Sequence, residues 1–225
     1  MLNEIIFFLH ALFIGICTLV ALHFGSFGLS IFICIQSLIS NMFILKETTL
    51  FGFTATCTDA YTIGCILSLN LLQEYYGPAI AKKIININFL SLCFYGGAIQ
   101  IQLWYFPAAT DQMHPFFGLL FRSAPRIVIA SLLVTWLTQM FDYWLYKNLK
   151  KIFHDRYLII RNYFSIILSQ LFDTILFSFI GLYGLIDNIL NIIIISFLIK
   201  LIAIIISVSC VRFSRNFLLQ KGINE

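Results

Sequence analysis

Long apolar runs separated by short polar segments make up most of the chain. A helix needs roughly 20 apolar residues to cross a hydrocarbon core about 30 Å thick. Seven runs meet that requirement: residues 4–24, 28–45, 59–76, 84–106, 125–146, 162–184 and 189–212. The pattern therefore predicts an all-α integral membrane protein with seven transmembrane helices.

The segment 48–58 is apolar but has a poor composition for a helix. It contains five Thr and one Gly, and both residue types are weak helix formers. Thr54, Thr56 and Thr58 alternate along the chain, as residues on one face of an extended strand do. We therefore predict an irregular or strand-like lead-in to the third helix, with Thr58 or Asp59 as its N-cap.

The predicted helices and their short connections use nearly all of the 225 residues. We therefore predict a single transmembrane domain, residues 1–225, without a soluble domain. The N-terminus has no Lys or Arg before its first apolar run, and no small-residue cleavage pattern closes that run. A cleaved signal peptide carries both features, so the first helix is predicted to be retained.

Composition supports the membrane assignment, and charge gives it an orientation. Hydrophobic residues make up 60% of the chain and charged residues 11%, against about 45–50% and 25% in soluble domains.

Ten basic residues fall on one side of the spans: Lys82, Lys83, Lys147, Lys150, Lys151, Arg156, Arg161, Arg212, Arg215 and Lys221. Because cytoplasmic loops carry the excess of Lys and Arg, we predict a cytoplasmic C-terminus and an outside N-terminus in the cell (inner) membrane. The net charge of +4 then requires no nucleic-acid partner.

The sequence contains no motif for a metal, a cofactor or catalysis. Its six cysteines include no C-x-x-C pair and its histidines are dispersed, so the common zinc signatures are missing. H-E-x-x-H, G-x-S-x-G and nucleotide-binding loop patterns are missing as well. We therefore predict a protein that is not an enzyme, uses no cofactor and does not itself hydrolyse ATP.

The predicted spans contain charged and amide side chains, which are costly in a membrane when they face lipid. They are Asp59, Asn70, Gln73, Glu74, Gln100, Gln139, Asp142, Gln170, Asp173 and Lys200. Gln100 suits a hydrogen bond between helices, and Lys200 either snorkels to the interface or pairs with a buried acid. The residues that we predict to line a substrate-binding site are Asp59, Asn70, Gln73, Glu74, Gln139, Asp142, Ser169, Gln170 and Asp173.

The fifth and sixth predicted spans share a short pattern. Residues 138–142 and 169–173 both read [ST]-Q-x-F-D. Because the chain reverses direction between the two spans, we expect the copies to lie nearer opposite membrane faces. The match is similar to the weak internal symmetry of transporters. The alternative is that a match of only five residues arose by chance. Asp173 is the deeper acid, whereas Asp142 is equally consistent with a place at the interface.

The chemistry of these polar positions predicts a class of ligand. Amides, hydroxyls and carboxylates would face inward among 24 Phe, 10 Tyr and 3 Trp. Aromatic faces stack flat solutes and carboxamides read their polar edges. A carboxylate such as Asp173 or Glu74 accepts two parallel hydrogen bonds from an N–H/NH2 edge or pairs with an ammonium group. From the residues alone, the chain is a small-molecule transporter or receptor.

Motifs along the chain carry a family resemblance. Residues 69–77, L-N-L-L-Q-E-Y-Y-G, followed by Ala81-Lys82-Lys83, resemble the T-D-V-x-N-E-x-Y-G-x-x-x-A-[RK]-[RK] segment of the queuosine precursor transporter family, also called the vitamin uptake transporter family. Residues 161–177, R-N-x-x-S-x-x-x-S-Q-x-x-D-T-x-x-F, are similar to a later family motif. The resemblance covers residues 28–212, which implies a six-helix core preceded by an additional N-terminal helix. It departs at Asn70, where the family has Asp, and at Gln73, where it has Asn.

The resemblance implies import of a 7-deazaguanine precursor of queuosine: queuine, or the aminomethyl or nitrile base. It leaves open whether import is facilitated or proton-coupled, and it leaves the oligomeric state open. The alternative within transport is the substrate-binding subunit of an energy-coupling-factor vitamin or nucleobase importer. Such subunits dock through A-x-x-x-A patterns, which the predicted spans lack. An intramembrane enzyme is disfavoured because no catalytic motif is present.

Overall fold

The computed structural model describes residues 2–44, 46–56, 58–122, 125–184 and 189–214, and it has a helix at each of the seven apolar runs. The helices are α1 (Leu2–His23), α2 (Gly25–Met42), α3 (Asp59–Tyr76), α4 (Pro78–Trp104), α5 (His114–Arg122), α6 (Pro125–Ile152), α7 (Leu158–Phe177) and α8 (Ile189–Ser209). A π-helical turn, Ser178–Leu182, extends α7, and a 3-10 turn, Cys210–Phe213, extends α8. The short α5 was not predicted, because nine residues cannot cross a membrane.

Six of these helices are long and apolar enough to cross a membrane, as judged by length and composition over the described residues. They are α1, α2, α4, α6, α7 and α8. The third helix, α3, is not among them, so the count of seven spans stays a prediction. Gln100, for which a bond between helices was expected, is exposed on α4.

The helix α3 lies at the centre of the fold. It packs against α1, α2, α4, α6, α7 and α8, and most of its residues from Asp59 to Gln73 are buried. A helix enclosed by protein needs no apolar outer face. Its polar composition therefore reflects its central position.

The segment predicted to be strand-like forms a small antiparallel hairpin. Strand β1 (Glu47–Leu50) pairs with β2 (Phe53–Thr56), with Glu47 opposite Thr56. The turn residues Phe51 and Gly52 have φ values of 54° and 83°, as two-residue hairpin turns require. The Phe51 N–H donates to Glu4 Oε1 at 3.1 Å, which fixes the hairpin against the start of α1. Thr58 occupies the N-cap position of α3 without a side-chain capping bond.

The fourth helix begins earlier than predicted, at Pro78 instead of residue 84. Gly77 alone separates it from α3, and its φ of 90° is a conformation that glycine adopts readily. Proline suits the first turn of a helix because its missing N–H would have no partner there. Lys82 and Lys83 therefore lie near the start of α4, where they are exposed and Ile85 is buried.

Gly64 of α3 lies at a tight contact with α1 and α2, so a substitution there tests how these three helices pack. A Cβ atom at Gly64 would collide with Gln36 Oε1 and Ile14 Cγ2. We expect Gly64→Ala to lower the free energy of unfolding by about 1–3 kcal/mol, the usual cost of overpacking. Thermal unfolding of the purified protein in detergent measures the effect. Gly97→Ala is the matched control, because no atom lies within 4 Å of a Cβ there, and equal melting temperatures for the two variants would contradict the packing.

Candidate functional site

A small cleft lined mainly by polar side chains lies between α2, α3, α6 and α7. Three of the predicted site residues line it, namely Gln139, Gln170 and Asp173. Seven further residues line the cleft. The sequence analysis missed the small polar ones on α2 and α3, namely Ser37, Ser40, Thr62 and Cys65. These side chains are small and uncharged, and such residues are common at contacts between membrane helices, so only their position marks them.

Asp173 forms a buried ionic cluster with Lys200 of α8 and Asp59 of α3. Lys200 Nζ lies 2.6 Å from Asp173 Oδ2 and 3.7 Å from Asp59 Oδ1. The Lys200, Asp173 and Asp59 side chains are 5%, 16% and 10% exposed. The predicted pairing of Lys200 with a buried acid is therefore confirmed. We call these three residues the Asp59–Lys200–Asp173 triad.

Both oxygens of Asp173 already accept hydrogen bonds. Lys200 Nζ donates to Oδ2, and Thr138 Oγ1 donates to Oδ1 at 3.3 Å. A carboxylate has about four lone-pair positions, so each oxygen can accept one more bond. Asp173 can therefore bind a ligand without first losing its partners.

Gln170 presents an amide at the cleft. Its Oε1 accepts a hydrogen bond from Thr62 Oγ1 at 3.3 Å. Its Nε2 is buried and has no hydrogen-bond partner among the described residues. Buried donors are nearly always satisfied in folded proteins, so a ligand at the cleft is a candidate partner for this N–H group.

Gln139 belongs to a buried network that connects four helices. Asn88 Nδ2 of α4 donates to Gln139 Oε1 at 3.1 Å and to Ser37 Oγ at 2.9 Å. Gln139 Nε2 in turn lies 3.1 Å from Cys65 Sγ. Asn88 was not predicted, because it lies near the start of its predicted span, where an amide suggests the interface. The network holds Gln139 in position at the cleft.

The two [ST]-Q-x-F-D segments lie side by side, so the expectation that they face opposite sides of the membrane is wrong. The Phe141 and Phe172 rings stack at 4.5 Å between centroids with 23° between planes. Thr138 Oγ1 of the first copy donates to Asp173, and Ser169 Oγ of the second donates to Asp142 Oδ1 at 2.9 Å. The first residue of each copy thus binds the last residue of the other, an exchange related by a local two-fold axis.

The environments of the two acids break this symmetry. Asp173 pairs with Lys200, whereas Asp142 is fully buried and accepts bonds from Ser165 Oγ at 2.6 Å and Ser169 Oγ at 2.9 Å. Among the described residues no Lys or Arg forms an ion pair with Asp142. It is also absent from the lining of the cleft. Asp142 is therefore a buried acid behind the cleft, held by two hydroxyls.

Glu74 lies with Arg161 and not with the triad. Arg161 Nη1 and Nη2 donate to its two oxygens at 2.8 and 3.0 Å, and Tyr146 Oη donates at 3.0 Å. Lys150 Nζ is 3.5 Å from the same carboxylate. A carboxylate with this many donors is committed to the protein, so its geometry favours a structural role.

The remaining predicted residues of α3 are buried beside these groups. Asn70 is fully buried. Gln73 Nε2 donates to the Tyr143 carbonyl at 3.3 Å, and Gln73 borders a second cavity together with Lys147 and Lys151. Neither Asn70 nor Gln73 lines the central cleft.

A family model described as "Putative vitamin uptake transporter" matches residues 60–213. The chain belongs to the vitamin uptake transporter family. A curated protein of Bacillus subtilis (strain 168), named "Probable queuosine precursor transporter", is 34% identical over 188 residues, which are 82% of this chain and 82% of that protein. No solved structure matches the chain.

Family membership makes the chain a multi-pass membrane transporter and confirms the resemblance found in the sequence. The matched residues include the cleft walls contributed by α6 and α7 and nearly all of α3. Ser37 and Ser40 of α2 lie outside the match. The central cleft is therefore built mainly from the part of the chain that defines the family.

Proposed function

We propose that this transporter imports a 7-deazaguanine precursor of queuosine into the cytoplasm: queuine, or the aminomethyl or nitrile base. The observation that carries the proposal is the cleft in which Gln170 and Asp173 stand three residues apart on one face of α7. Residues at this spacing have Cβ atoms about 5–6 Å apart. An amide and a carboxylate can therefore contact one bicyclic base together. The name of the 34% identical relative supports the same ligand class.

The chemistry of the two side chains supports different roles for them toward the base. A carboxamide accepts from an N–H group and donates to a carbonyl, which complements the lactam edge of a guanine-like ring. Gln170 suits that edge because its Nε2 has no partner among the described residues. Asp173 then accepts from an amino or ammonium group. The sequence-based hypothesis gave the N–H/NH2 edge to a carboxylate such as Asp173 or Glu74. The Gln170 Nε2 atom, which has no partner among the described residues, favours giving that edge to Gln170 instead.

The polar side chains around the cleft suit a small aromatic base. The enclosed space is about 20 Å³, so the walls have to move apart to admit one. Ser37, Ser40, Thr62 and Cys65 add small polar groups to the wall. A flat solute with a polar perimeter would satisfy these groups better than an aliphatic one.

The proposed orientation of the chain in the membrane rests on the distribution of charge. Lys82 and Lys83 at the α3–α4 connection, and Lys147, Lys150 and Lys151 at the end of α6, belong to the same side of the bundle in an up-and-down arrangement. The positive-inside rule puts that side in the cytoplasm. The hairpin β1–β2 would then face the outside.

Restoration of queuosine in tRNA tests the proposed function. The chain is expressed alone in a host that lacks its own importer and the early biosynthetic route and whose transglycosylase accepts the base supplied. Each base is fed in turn, and queuosine is detected by a boronate gel shift. We expect a shift with at least one base and none without the chain. Failure with all three bases would refute the proposal, and success without an added ATPase module would exclude the energy-coupling-factor alternative.

A further inference from the structure

The Asp59–Lys200–Asp173 triad holds two carboxylates and one ammonium group, so it carries one more negative charge than positive charge. All three side chains are at most 16% exposed. Among the described residues, Asp59 and Asp173 form ion pairs with Lys200 and with no other cation. A buried charge without a counterion is strongly unfavourable. The triad therefore favours the arrival of one more cation.

The triad is also asymmetric toward the cleft. Asp173 lines the cleft and holds Lys200 closely, at 2.6 Å. Asp59 does not line the cleft, and Lys200 Nζ lies 3.7 Å from its Oδ1. A cation that enters the cleft meets Asp173 first. Lys200 can then shift toward Asp59 and keep a buried partner.

We propose that the substrate supplies the missing positive charge: an ammonium group on the base binds Asp173, and Lys200 moves onto Asp59. This inference rests on the proposed function and narrows its ligand to 7-deazaguanines that carry an ammonium group, such as the aminomethyl base and queuine. With such a ligand bound, two carboxylates face two cations and the site is neutral. Asp59 is thus a specificity-determining residue that acts through Lys200.

The position of the ammonium group on the base agrees with this arrangement. In the aminomethyl base, the substituent on the five-membered ring lies next to the ring carbonyl. Gln170, which we assign to the lactam edge, and Asp173 are adjacent on one helix face. One base can therefore contact both side chains with its carbonyl edge and its ammonium group.

A comparison of the neutral nitrile base with the aminomethyl base tests the inference. Wild-type protein should take up the aminomethyl base in preference to the nitrile base. Asp59→Asn removes the second carboxylate available to Lys200 and should lower the ratio of aminomethyl to nitrile uptake at least about tenfold. Lys200→Gln should shift the ratio the other way, toward the aminomethyl base, because two carboxylates then face the cleft without a lysine.

The uptake ratio does not depend on the amount of protein in the membrane, and Asp59→Glu should restore the wild-type ratio. Asp111→Asn is the matched control, because Asp111 is an exposed loop residue whose Oδ1 caps α5.

Equal wild-type uptake of the two bases, or an equal loss of both in Asp59→Asn, would overturn the inference. Nitrile uptake that rises with external acidity would also overturn it, because a proton would then supply the charge. Uptake of neither base would instead refute the proposed function itself.

Discussion

Asp173→Asn should abolish uptake of the aminomethyl base and leave the amount of protein in the membrane unchanged. Asparagine has nearly the same shape, so its Oδ1 can still accept from Thr138, which lies 3.3 Å from that atom. Lys200 keeps Asp59 at 3.7 Å. What is lost is the charge at the cleft, and loss of one partner of a buried charged pair costs about 2–5 kcal/mol. That cost corresponds to a fall of roughly 30-fold or more in binding.

Boronate gels of tRNA and immunoblots of membranes measure the two quantities separately. Asp111→Asn makes the same chemical change at an exposed loop position and should leave uptake at the wild-type level. Normal uptake by Asp173→Asn would mean that the carboxylate at the cleft does not bind the substrate. Loss of the protein from the membrane would instead assign Asp173 a structural role.

Local sequence patterns predict the elements of this fold well because each element has a local cause. Apolar runs long enough to span a membrane are helices at all seven positions, and alternating threonines form a strand in the hairpin β1–β2. The boundary at Pro78 was missed although the sequence contains the signal. Gly77 and Pro78 end one helix and also begin the next, whereas the predicted spans left residues 77–83 as a connection.

The arrangement of the [ST]-Q-x-F-D copies was predictable but was missed. Met140 lies 12 residues before Ile152, and Leu171 lies 13 residues after Leu158, so the two copies are almost equally far from the short connection between these helices. In an antiparallel helix pair, residues equally distant from the turn lie at the same depth. Equal spacing about the turn, combined with the 1.5 Å rise per residue, thus predicts the contact between the copies.

The partners of the candidate site residues were not predictable in the same way. The triad joins α3, α7 and α8, and no sequence spacing relates three helices so far apart in the chain. Glu74 and Arg161 show the same limit, since both were assigned from local context, one to a binding site and the other to a basic loop. Their bond is a tertiary contact, which hydropathy and charge counts do not contain.

Arg161→Met should produce the largest loss of stability. The Arg161 side chain is 0% exposed and makes a two-pronged bond to Glu74. It also donates to the Arg156 and Asp155 carbonyls at 2.9 and 3.2 Å. Removing one partner of a buried ion pair costs about 3–5 kcal/mol, because the other charge stays buried. Thermal unfolding in detergent measures the effect. Lys151→Met is the control, because Lys151 is an exposed basic residue on the same side of the bundle, and its melting temperature should stay close to that of the wild type.

The loop that Arg161 holds explains why lysine should not replace it. His154, Asp155 and Tyr157 have φ values of 49°, 61° and 56°, a left-handed conformation that is costly for residues other than glycine. A guanidinium group can bind a carboxylate and two carbonyls at once, whereas an ammonium group cannot reproduce that fork. Arg161→Lys should therefore recover only part of the stability.

The double variant Glu74→Gln/Arg161→Met should be more stable than Arg161→Met alone, because it leaves no unpaired carboxylate. An additive loss in the double variant would show that the two residues do not stabilise the protein as a pair.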